Sequence, residues 1–224
     1  MPVQHLTNAE LTQLADELRA GLPVLDPDEQ RIAVALYRLL AKGTPVAEPR
    51  LAEAVALPPE RVAATLGGWP GIFRDERGEI IGFWGLAQQE FPPHQFHVDG
   101  RRLWGWCSWD TLFLPIVLGR TARIESVDAT TGEPVRAVVG PHGVEEASDG
   151  AVISFLRLDG AFDQDVIASF CHHVLFFASD KAGERWIGDR EDAFLLTLEQ
   201  GFELGRRVWE TKFAAALAAE RAAA

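Results

Sequence analysis

Gln95-Phe96-His97-Val98-Asp99-Gly100-Arg101-Arg102-Leu103-Trp104-Gly105-Trp106-Cys107-Ser108-Trp109-Asp110 contains two kinds of structure and the switch between them. Gln95–Val98 and Arg101–Trp104 flank an Asp-Gly pair. That pair suits a two-residue hairpin turn, whose residues must take positive φ. From Ser108 to Leu118 the pattern becomes helical. Further strands are expected at Ala122–Val127, Pro134–Val139, Ala151–Leu156 and Cys171–Ala178, with glycine-rich turns between them. A long helix from Asp192 to Ala218 is expected to close the chain. Strands fill the middle and helices the ends, so the class is α+β, with a mixed, largely antiparallel sheet and flanking helices.

Upstream, Thr7 with Glu10 three residues later is a helix start, followed by Leu11, Leu14 and Leu18 at helical spacing. Pro23 and Pro27 break the chain, and Asp28–Leu40 is a second helix that stops at Gly43. Glu48–Val55 and Pro59–Leu66 read as short helices joined by a tight turn. Ile72–Arg74 and Ile80–Phe83 form a hairpin around Asp75–Glu79. Two helices and a hairpin make a winged helix-turn-helix pattern. Pro92-Pro93 marks a change of pattern, and the division expected is a winged-helix-like unit over 1–85 and an α+β unit over 86–224. Arg61 is the only basic residue of the second short helix, and acidic residues outnumber basic ones 12 to 8 over 1–85. DNA-binding faces need basic clusters to neutralise phosphates, so the winged pattern is read as a structural unit.

The whole chain of 224 residues carries a net charge of −12, which opposes non-specific attraction to nucleic acid or anionic lipid. No apolar run is long and charge-free enough to span a bilayer. The N-terminal residues show neither the basic nor the apolar region of a signal peptide. The expected compartment is the cytosol, where thiols stay reduced. The Ala-rich tail, Ala214–Ala224, is expected to fray at its end.

Only two cysteines are present. If the helix begins beside Cys107, its free N–H groups favour the thiolate, and Asp110, at i+3, shares its face. Trp104, Trp106 and Trp109 could wall such a site from water. The plain alternative is a buried structural cysteine with Asp110 solvated in the first helical turn. Cys171, before the apolar run Val174–Phe177, is by itself ordinary core. His172 and His173 point to opposite faces if extended, and His94 and His97 could add metal ligands. Yet there is no paired-cysteine knuckle and no His-Glu-x-x-His, so a zinc site would have to be assembled from scattered residues.

Taken together, Trp106-Cys107-Ser108-Trp109-Asp110-Thr111-Leu112 and Phe170-Cys171-His172 through Ala178-Ser179 resemble the two cysteine segments of the organomercurial lyases (alkylmercury lyases) of bacterial mercury resistance. Pro70–Asp75 and Ile81–Leu86 resemble segments of the same family, in the same order. Trp104 stands where the family often has tyrosine, and Ser108-Trp109 replaces a small-plus-aliphatic pair. The resemblance implies a lyase that breaks a carbon–mercury bond by protonolysis, giving a hydrocarbon and Hg(II). It implies Cys107 and Cys171 as ligands of the mercury, and Asp110 as the group that takes a thiol proton, returns it to carbon and shares in holding the ion. No organic cofactor or resident metal is implied, because mercury arrives with the substrate. Small cytosolic thiols or a mercuric reductase would remove the product. Two other readings use the same residues: a protein that sequesters a soft metal such as Hg(II) or Cu(I) without turnover, and a metal-responsive regulator built on the winged helix. Sequestration needs no proton donor, and regulation needs a basic face.

Overall fold

The computed structural model describes residues 6–157 and 165–223, with side chains to 218. Residues 1–5, part of the N-terminal stretch read as lacking a signal peptide, and the end of the tail lie outside the described residues.

Helix α1 (Asn8–Gly21) opens on the capping box read from sequence: Thr7 and Glu10 exchange hydrogen bonds. Asp26 and Glu29 form another at α2 (Pro27–Leu40). Pro27 therefore begins that helix rather than breaking the chain, at a position where a missing N–H costs nothing. Helices α3 (Glu48–Val55) and α4 (Pro59–Gly68) precede the hairpin of β1 (Ile72–Arg74) and β2 (Ile80–Phe83). The next strands are β3 (Leu86–Ala87), β4 (Gln95–Val98) and β5 (Arg101–Gly105), then, after α5 (Ser108–Leu118), β6 (Ala122–Val127), β7 (Pro134–Gly140) and β8 (Gly143–Ala147). The Asp99-Gly100 turn has φ of 48° and 72°, as the hairpin requires. Among the described residues these strands form one antiparallel sheet, ordered β1-β2-β3-β5-β4-β6-β7-β8. The wing hairpin is thus the edge of the main sheet, joined to it by Leu86↔Gly105 and Ala87↔Trp104 through β3.

A second sheet has the order β10-β9-β11, from β9 (Val152–Leu156), β10 (Phe176–Phe177) and β11 (Ala193–Thr197). Two expectations fail here. Cys171–Ala178 is not a strand throughout. After the short helix α6 (Val166–Ser169), Cys171–His173 is a 3-10 turn, closed by the Val174 N–H on the Cys171 carbonyl. The Ser154 hydroxyl then donates to the His173 carbonyl and accepts from the Leu175 N–H. One side chain does part of the work of strand pairing, and the strand proper shrinks to Phe176–Phe177. The final helix does not begin at Asp192 either. After α7 (Asp180–Ile187), residues 193–197 pair along β9, with Phe194 opposite Phe155 and Leu196 opposite Ile153. Thr197 then caps α8 (Leu198–Lys212) with Gln200, and a break at Phe213 starts α9 (Ala214–Ala223).

The core lies around α5, every residue of which is buried. Helix α8 packs on it closely because Gly201 and Gly205 face it. A Cβ on Gly205 would stand 2.7 Å from Phe113 Cβ.

Candidate active site

Cys107 is the last extended residue before α5, with φ −142° and ψ 174°. The N–H groups of a helix's first turn lack partners within the helix. Asp110, three residues on, supplies one just ahead of that turn: its Oδ2 accepts the Cys107 N–H at 2.7 Å. The Ser108 N–H donates to the Val174 carbonyl at 3.0 Å, which ties the start of α5 to the turn carrying Cys171. That bond brings together segments far apart in sequence. The sulfurs of Cys107 and Cys171 and a carboxylate oxygen of Asp110 all lie within 4.8 Å of one another. Both cysteines are free thiols.

The site is dry. Cys107, Cys171 and Asp110 are 1%, 5% and 6% exposed. Burial penalises charge, so it lifts the Asp110 carboxyl to about 6, against hydrogen bonds from Cys107 and Trp106 that favour the ion. Burial also pushes the Cys107 thiol well up, helped by its hydrogen bond to Cys171 and by the neighbouring acid. For Cys171 the hydrogen bond from Cys107 is the largest influence and favours the thiolate. Burial and Asp110 outweigh it, so this thiol too is raised. Both cysteines rest as thiols beside a carboxylate able to take a proton.

The acid is placed by absence of side chain on its other side. Gly85 has φ +93°, and a Cβ there would stand 2.4 Å from Asp110 Oδ1. The residue before it, Trp84, is held by the Tyr37 hydroxyl, which donates to its carbonyl at 2.7 Å.

Asp110 and Cys171 line a cavity of about 420 Å³ whose other walls include Trp84, Trp106, Trp109, Phe170 and Trp209, with Leu22 and Pro23 from the end of α1. Of the three tryptophans expected to wall the site, Trp106 and Trp109 do so. Trp104 does not line the cavity; it sits in β5 between Ala87 and Gln95. Trp84 and Trp209 were not anticipated, since nothing local links either to a cysteine. The Nε1–H groups of Trp106 and Trp209 are buried with no acceptor among the described residues. Trp109 spends its own on the Gly201 carbonyl at 2.9 Å.

The histidines stay apart. His94 is buried with Nδ1 2.9 Å from Ser126 Oγ, and burial lowers its pKa to about 3. His97 faces Glu125 at 3.6 Å. Among the described residues, Cys107, Asp110 and Cys171 form the one cluster of His, Cys, Asp and Glu groups able to hold a metal, and neither His172 nor His173 joins it. Among the described residues, no zinc site is gathered from scattered histidines.

The family model for alkylmercury lyase matches residues 89–210, and that for the helix-turn-helix domain of alkylmercury lyase matches residues 11–84. An alkylmercury lyase of Pseudomonas putida is 37% identical over 198 residues, which span 88% of this chain and 90% of that protein. One from Streptomyces lividans is 38% identical over 176 residues, covering 78% and 80%. The solved structure of the mercury-bound form of MerB2 aligns with a TM-score of 0.69 at 23% identity, over 92% of this chain and 100% of that one, so it shares the fold. With a family model matching more than half its length and relatives of this identity and coverage, the chain belongs to the alkylmercury lyase family.

Proposed function

We propose that Cys107 and Cys171 hold the mercury of an organomercurial while Asp110 carries one proton from thiol to carbon. The activity of the family is cleavage of the carbon–mercury bond. That bond resists water because a carbanion leaves poorly, so carbon must be protonated as the bond breaks. One thiol loses its proton as its sulfur bonds mercury, and this proton leaves with the displaced anionic ligand. The other thiol gives its proton to Asp110 and also binds mercury. Two soft donors push electron density toward carbon. Asp110 then protonates carbon, the carbon–mercury electron pair becomes the new C–H bond, and Hg(II) stays on the two sulfurs. Electrons and protons balance without an oxidant.

The observation that carries these roles is the dry cluster of two free thiols and a carboxyl whose pKa is about 6. At neutral pH such a group is mostly ionised and can accept a proton. It also holds one easily enough to act as a general acid. The sequestration reading leaves that acid without a task. The aromatic cavity suits apolar groups on mercury.

Residues 1–85 act in this reading as a structural unit that completes the cavity, and residues 86–224 supply all three reacting groups. The reaction is placed in the cytosol, where small thiols or a mercuric reductase take up the ion. The test is to incubate the protein with phenylmercury and excess thiol and to assay benzene. No benzene, with mercury held by the protein, would replace the lyase with a sequestering protein.

A further inference from the structure

Cys171 lines two cavities. Besides the aromatic one, a second of about 260 Å³ is bounded by Glu90, Phe91, His94 and Leu175, among others, and meets the first only at Trp106 and Cys171. Cys107 lines neither, and Asp110 lines only the first. The shared wall, Trp106, carries a buried N–H with no acceptor among the described residues.

We propose that this second cavity admits a small thiol that strips Hg(II) from Cys171, so that the organomercurial enters through one opening and the ion leaves through the other. This rests on the reading of Cys171 as a mercury ligand. Mercury held by two thiolates yields only to another soft donor, and a third sulfur must reach the metal before either bond breaks. Cys171 lines both cavities and Cys107 neither, so the Cys171 side of the metal is the one an incoming thiol meets first. In the aromatic cavity the Asp110 carboxyl lies within 4.8 Å of both sulfurs and crowds the metal from that side. The second cavity has no such group at its inner end. Its one acid, Glu90, is exposed at the rim and faces Arg102 at 3.9 Å. The incoming thiol forms a sulfur–mercury bond, and its proton passes to the Cys171 sulfur as that bond to mercury breaks. A second thiol repeats the exchange at Cys107. Mercury leaves as a bis-thiolate complex, and nothing is oxidised or reduced.

The test loads the intact protein with one equivalent of mercuric chloride and follows transfer of the metal to excess mercaptoethanol. Leu175→Trp and Glu90→Trp each narrow the second cavity and leave the aromatic one alone. Each should slow transfer by about tenfold or more, with benzene release from phenylmercury in a single turnover unchanged. If Leu175→Trp fails to fold, the exposed Glu90 position still decides. Transfer at the wild-type rate, or benzene release slowed as much as transfer, would overturn the proposal. Because loading starts from Hg(II), failure of the wild type to make benzene would sink the lyase reading and leave this measurement to judge the cavity.

Discussion

At the scale of single residues, the site depends on one acid and on the glycine that makes room for it. Asp110→Asn keeps both thiols and much of the shape. It should still take up mercury but release benzene about a hundredfold to ten-thousandfold more slowly, the usual cost of losing a general acid. Wild-type cleavage should fall as pH drops below about 6, where Asp110 is already protonated and cannot accept a thiol proton. The variant should show no such fall. Stability moves the other way. A carboxyl raised from 3.8 to about 6 in the folded protein favours folding fully below 3.8, and that advantage is lost as pH rises through 6. A shift of that size corresponds to about 3 kcal/mol. Asp110→Asn should therefore melt higher relative to wild type at pH 8 than at pH 4, with the weaker, neutral acceptor that Asn offers the Cys107 N–H offsetting part of the gain. Equal differences at both pH values would mean that Asp110 is not raised. Gly85→Ala would push a methyl group into the carboxylate. Displacement by about 1 Å can cost a hundredfold in rate, so this variant should lose cleavage while keeping its circular dichroism. The pairing of Cys107 with Asp110 was legible from spacing, because residues i and i+3 of a helix start share a face. Gly85 was not, since its partner lies across the fold.

Among the elements, those with a local cause were legible. Thr7 with Glu10 and Asp99 with Gly100 carry their own geometry, and both form as read. The misread segments take their shape from distant partners. Leu195 and Leu196 fit a helix as well as a strand, and the free edge of β9 decides. The run from Val174 looks like a strand, but Ser154 intercepts its first backbone groups. The tight fit of α8 on α5 gives an expectation that runs against propensity. Alanine for glycine inside a helix should gain about 1 kcal/mol. At Gly205 the added methyl meets Phe113 Cβ, an atom that cannot move without α5, and overpacking costs about 1–3 kcal/mol. Gly205→Ala should lower the melting temperature by a few degrees, about 2–4 °C per kcal/mol at this size. Gly201→Ala meets the flexible tips of Leu112 and Ile153 and should cost less. A more stable Gly205→Ala would show that α8 can slide.

Taken whole, the molecule ties its winged-helix pattern to the helix that backs the cavity. Arg207 reaches the Asn8 carbonyl and the Thr12 hydroxyl, and Gln200 donates to the Leu6 carbonyl. Lys212 donates to the Pro23 carbonyl and lies 5.3 Å over the Trp84 ring. These contacts fasten the N-terminal helices to α8 and set Leu22 and Pro23 in the cavity wall. Arg61 is engaged with Asp26. With little counterion release available, the protein should give no salt-sensitive shift of duplex DNA at micromolar concentration in a gel assay, and a sequence-preferring shift would revive the regulator.

The hydrogen bond between Ser108 and Val174 has a mechanical consequence. Cys107 hangs from the end of the large sheet and Cys171 stands at the entrance to the small one, 64 positions apart in sequence. An ion gripped by both sulfurs is therefore a reversible clasp between the two halves of the fold. A covalent link closing a loop of that length would restrain the unfolded chain by about 4 kcal/mol. The enzyme should accordingly be hardest to unfold at the moment it has finished its chemistry and to soften again when a thiol unfastens the metal. Hg(II) should raise the melting temperature of the wild type and leave that of Cys171→Ala nearly unchanged.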